Sequence, residues 1–172
     1  NPVERALLLG IERDARLAAR VGGIHGLLGY LNARLRFRFT AICELSGIAP
    51  WHRVYDRNYP AIQCASDSAR AVRTSLTFAL GQPGIRPDRL GQSLESWADD
   101  AALGVQSVLG ALVRRADGEP CAVLCHYDLR PRLAHRYDPR ILDHVARRLG
   151  TIVTDGLPIQ IRSTVSADGS QV

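Results

Sequence analysis

The sequence predicts an α+β domain: a central antiparallel sheet of five or six strands, helices packed on one face, and a loop or short-helix lid on the other. Three observations predict it. Leu17, Val21, Ile24, Leu28, Leu31 and Leu35 recur at alternating intervals of four and three, which places them on one helical stripe. From Phe37 to Leu45 the period falls to two, the period of a strand. Farther along, two apolar runs flank Asp117-Gly118, a dipeptide suited to the positive φ angles of a tight hairpin.

Taken in order, residues from Val3 to about Arg36 form one long helix or two in succession, with Gly22-Gly23 marking a break and Gly26 and Gly29 permitting close packing. The apolar stripe needs a cover, either the domain's own sheet or a second copy of the helix. In the following strand Phe37, Phe39, Ala41, Cys43 and Leu45 share one side, and Arg38, Thr40, Ile42 and Glu44 the other. Ser46-Gly47 and Pro50 turn the chain, and Trp51 to Asp56 returns as the second strand. A helix from Ser66 to about Thr74 and a short strand from Ser75 to Leu80 come next.

Gln82 to Pro87 reads as a loop and Asp88 to Leu103 as a short irregular helix carrying Trp97, Asp99 and Asp100. Val105 to Val113 and Pro120 to Asp128 are the strands of the second hairpin. A helix from about Pro139 to Leu149 buries Ile141, Leu142, Val145 and Leu149, with Gly150 as its stop. These elements make a single domain over residues 1–153, followed by a tail or linker over 154–172. Helices on one face leave the other face to the connection from Ser66 to Gly104, which is free to close over a cavity.

Composition narrows the function. With 46% hydrophobic and 23% charged residues the chain is a folded body, and no apolar run reaches the ~20 residues of a membrane-spanning helix. No signal-peptide layout opens the sequence, so a cytoplasmic setting is expected; without an initiator Met, either the ends are trimmed or the sequence begins inside a longer polypeptide with a possible linked output domain. The net charge is +5, all 22 basic residues are Arg, and they are scattered among acids instead of gathered, so no nucleic-acid face is expected. Absence of Lys removes Schiff-base chemistry, the phosphate-loop lysine and serine–lysine dyads.

The remaining polar clusters read as structural. Cys43, Cys64, Cys121 and Cys125 are expected as free buried thiols. On a strand Cys121 and Cys125 share one side and His126 the other, which argues against a metal site. Asp99-Asp100 and the histidines His52, His126 and His135 show no spacing that forces an acid–base pair together. Gly23, Gly26 and Gly29 follow no strand and form no dinucleotide fingerprint. Arg130, Arg132, Arg136 and Arg140 are interleaved with Asp128, Asp138 and Asp143 as a solvated face.

The segment from Gln106 to Val113, with Leu109-Gly110, then Asp117-Gly118, then Leu124-Cys125 with Asp128 three residues after the Cys and Pro131-Arg132 beyond, resembles the signature hairpin of GAF domains. Leu31-Asn32 ahead of Phe39-Thr40, and Arg57 after the second strand, extend the likeness over about residues 25–150. The resemblance implies a GAF-like sheet and a sensory or regulatory domain without a catalytic centre. It further implies a small-molecule ligand, dimerisation through terminal helices, and a signal passed to an output domain. The cyclic-nucleotide and bilin branches of the family are not matched: the chain has no Lys, and no Cys lies between Cys64 and Cys121. No cofactor is called for, and the ligand stays unknown. The alternative within the fold is a cysteine-dependent reductase of free methionine sulfoxide, with Cys64 as nucleophile and Arg73 favouring its thiolate. Ligand-contacting residues are expected at Thr40, Tyr55, Arg73, Trp97, Ser107 and His126, with Trp97 on a mobile lid.

Overall fold

A computed structural model describes residues 1–45, 51–61, 107–115, 117–135, 137–153 and 157. Helix α1 spans Pro2–Arg34. Asn1 caps it, its side-chain oxygen accepting from Val3 N at 3.0 Å, and Pro2 in the first turn sacrifices no helical hydrogen bond. At Gly23 the backbone leaves the helix, with φ 60° and ψ −150°, a region open essentially to glycine alone. The break expected at Gly22-Gly23 is therefore present.

That kink divides the apolar stripe. Ile24, Leu28, Leu31 and Leu35 enter the domain's own core, whereas Leu17 and Val21 are 63% and 83% exposed. Before the kink it is Ile11, Ala15 and Ala19 that are buried. A rotation of the helix face at Gly23 accounts for the difference from a single continuous stripe.

Strands β1 (Phe39–Glu44), β2 (His52–Asp56), β3 (Ser107–Arg114) and β4 (Pro120–Asp128) form an antiparallel sheet in the order β2-β1-β4-β3. Four strands are present among the described residues, where five or six were expected. The expected strand at Ser75 to Leu80, the helix before it and the Trp97 segment lie outside the described residues. Helices α2 (Asp138–Arg147) and α3 (Leu149–Ile152) follow, so the domain is α+β with an open sheet. Gly150 lies within α3 and is not the stop; the helical path is interrupted earlier, at Arg148, with φ −101° and ψ 5°.

One side of the sheet packs Ile42, Leu109, Ala111, Val113, Ala122 and Leu124 against Leu27, Leu28 and Leu31 of α1 and Leu142 and Val145 of α2. The other side carries Phe39, Ala41, Cys43, Val54, Leu112, Val123, Cys125 and Tyr127, all of them buried, with the Phe39 and Tyr127 rings stacked at 4.7 Å. Two strand readings need correction. Phe37 does not share a side with Phe39: it precedes β1, its carbonyl accepts from Asn32, and its ring joins the helix-side core. Cys121 does not share a side with Cys125. A bulge pairs Val113 with Ala122 but Arg114 with Pro120, so Cys121 is the extra residue and turns into the helix-side core.

Ion pairs fix the ends of this frame. Asp56 takes a bidentate bond from Arg38 at 3.0 and 2.8 Å, and Asp128 accepts from Arg38 N, Arg130 N and Arg132 Nε. The Glu4–Arg140 ion pair and a hydrogen bond between Glu12 and His144 Nε2 tie the first half of α1 to α2.

Candidate functional site

A cleft of about 480 Å³ opens where α1 ends beside β2, lined by Gly29, Asn32, Ala33, Arg34, Leu35, Arg36, Tyr55 and Arg57. Its size falls in the range of small-ligand sites, roughly 300–1,000 Å³. Its shape follows from two local features. Gly29 lets the Tyr55 ring lie directly on α1, since a Cβ there would stand 2.8 Å from the ring. Arg57, just past β2, crosses to the end of α1 and donates to Asn32 Oδ1 at 2.9 Å and, through Nη2, to the Asn32 and Leu35 carbonyls. The Asn32 carbonyl also accepts from Leu35 N at 3.2 Å, so the guanidinium reinforces that closing turn, gives the Leu35 carbonyl a donor and offsets the negative end of the helix dipole.

Behind Arg57 runs a chain of buried polar groups. Asn32 Nδ2 lies 3.0 Å from Thr40 Oγ1, and Thr40 Oγ1 lies 2.6 Å from His126 Nδ1. Thr40 accepts from Asn32, so its own proton is free to donate to Nδ1, an arrangement that puts the imidazole proton on Nε2. His126 is fully buried, and burial followed by the nearby Arg57 charge pushes its pKa down to about 3. The ring is neutral at ordinary pH. Its Nε2 has no hydrogen-bond partner among the described residues.

Sheet register brings three of the expected site residues into one row. Tyr55 pairs with Thr40, and Thr40 pairs with His126. The row lies on the side of the sheet that α1 covers. Tyr55 lines the cleft, whereas Thr40 and His126 are sealed behind it at 0% exposure and support the wall from within. Ser107 stands apart: its hydroxyl donates to Arg130 O at 2.9 Å and accepts from Arg132 N at 2.7 Å, which fastens the turn after β4. Arg73, Trp97 and Cys64 lie outside the described residues. Sequence reasoning did not count Gly29, Arg34, Arg36 or Arg57 among the site residues. For Arg57 the only signal was its place in the family resemblance, because its partners are 22 and 25 positions away.

Two thiols of the sheet are held in the protonated form. Hydrogen bonding to Cys43 and then burial raise the Cys125 thiol well above its usual range, and burial pushes Cys121 up to about 11. A protonated, buried thiol is a poor nucleophile. Among the described residues no three His, Cys, Asp or Glu side chains gather to hold a metal ion, and no helix is long and apolar enough to cross a membrane. No protein-family model matches the chain, and no curated protein sequence matches it either.

Proposed function

We propose that the chain is a GAF-like, non-catalytic regulatory domain that binds a small molecule and acts as a homodimer held by the first half of α1. One observation carries the reading: α1 has two apolar stripes, and only one is used inside the domain. Ile11, Ala15 and Ala19 are buried, while Val3, Leu7, Leu17 and Val21 are exposed at 76%, 41%, 63% and 83%. With the half-buried Gly10 and Asp14, these four residues fall at intervals of four and three from residue 3 to residue 21, the spacing of a coiled-coil seam, while Leu9, also exposed, lies beside that line.

The seam is self-complementary when two copies run antiparallel. Val3 then lies opposite Val21 and Leu7 opposite Leu17 of the second copy, while Asp14 meets the small Gly10. A parallel pair would set Asp14 against its own copy, a like-charge contact in a partly dry seam. Two-fold symmetry makes both halves of such an interface equivalent. Support for the regulatory reading also comes from the sheet with its helices on one side, the raised thiols of Cys121 and Cys125, and the cleft beside Tyr55.

The test is sedimentation equilibrium of a Leu17→Arg, Val21→Arg variant. Both side chains are exposed in the single chain, so the variant is expected to keep its circular dichroism and melting temperature while losing self-association. A folded variant that still associates like the wild type overturns the seam.

A further inference from the structure

Among the described residues, the lining of the cleft carries three guanidinium groups, from Arg34, Arg36 and Arg57, and no carboxylate. Elsewhere in the described residues several arginines are paired with acids, as in Arg38 with Asp56 and Arg132 with Asp128. In the cleft they are not. Arg34 Nε donates to the Tyr30 hydroxyl at 2.9 Å and its guanidinium lies over the Tyr30 ring, 5.0 Å from the centroid. Arg57 spends Nε and both Nη2 protons on Asn32 and Leu35, which leaves the Nη1 protons. Arg36 is exposed and makes no ion pair among the described residues.

We infer that this cleft binds a small oxyanion, a carboxylate or phosphate group carried by the regulatory ligand, with Arg36 and Arg57 as its main contacts and Tyr55 as the wall. The inference rests on the small-molecule reading above and narrows it to a ligand class. A helix C-terminus ordinarily repels anions, with about half a negative charge on its last carbonyls. Here Arg57 covers two of those carbonyls, and two further cations stand at the rim, so the sign of the local field is positive. The neighbouring His126 feels that field, since the Arg57 charge is one cause of its lowered pKa. Planar, forked donors suit two oxygens of one group.

Isothermal titration of the full chain at low ionic strength, with inorganic pyrophosphate and with citrate as separate probes, tests the site. Saturable binding of at least one probe is expected, weakened about tenfold in Arg36→Gln, as for loss of one charge-assisted contact. Arg34→Gln, which like Arg36→Gln removes a partly exposed charge outside the core, is expected to weaken the same probe. Citrate alone binding assigns carboxylates, and pyrophosphate alone assigns phosphates. No saturable binding of either probe overturns the inference, and so does binding that both variants retain in full. The mass of the same samples reports self-association separately, so an intact dimer without anion binding removes this site and leaves the dimer standing.

Discussion

His126 and Thr40 show how a buried polar pair constrains its surroundings. Replacing Thr40 by Val keeps the volume but leaves His126 Nδ1 unpaired and removes one acceptor from Asn32, whose Nδ2 retains the Phe37 and Arg38 carbonyls. A loss of about 1–3 kcal/mol is expected from chemical denaturation, the usual cost of an unsatisfied buried group. The pair also sets a pH dependence. His126 has a native pKa of about 3 against an ordinary 6.5, so between those values the unfolded chain binds a proton that the native state refuses. Stability therefore falls as pH is lowered from 6.5 toward 3, by up to ~1.4 kcal/mol per pH unit from this group alone. His126→Gln is expected to flatten that slope in denaturation curves measured at pH 6.5, 5.5 and 4.5. An equal slope in variant and wild type removes His126 as its source. Thr40 and His126 were legible as interior partners only through strand register, which a single sequence does not disclose.

Among the elements, glycine placement in α1 decides what the helix can touch. Gly29→Ala forces a methyl group against the Tyr55 ring at 2.8 Å, and overpacking of that kind costs about 1–3 kcal/mol. The expected result is a lower melting temperature together with a disturbed cleft, so the tightest anion probe should bind more weakly. Unchanged stability would mean that Tyr55 does not rest on α1. The hairpins were readable because period-two alternation and Asp117-Gly118 are local signals, and β4 runs over Pro120–Asp128 as expected. The bulge at Cys121 was not readable, since it appears only when two strands are paired, and it moves one thiol to the other side of the sheet. Likewise the four-three spacing of Leu17 to Leu35 concealed the kink's effect: the intervals continue across Gly23 while the exposed face does not.

At the scale of the whole molecule, the first half of α1 packs one side, through Ile11, Ala15 and Ala19, into the core and leaves a second apolar line exposed. Val3, Leu7, Leu17 and Val21 contribute nothing to that core, yet a helix carrying four exposed aliphatic residues at seam spacing is poorly suited to remain alone in water. The cleft and the proposed seam lie toward opposite ends of α1, with Gly23 between them, so the proposed ligand site and the proposed dimer contact would share one element. Native mass spectrometry of the freshly purified full chain tests this central claim most directly, because one spectrum reports both the number of chains and any retained small molecule. The account predicts a species of two chains of 18.8 kDa each at micromolar concentration, reduced to one in the Leu17→Arg, Val21→Arg variant. A single-chain mass for the wild type at every concentration up to the high micromolar range would contradict it.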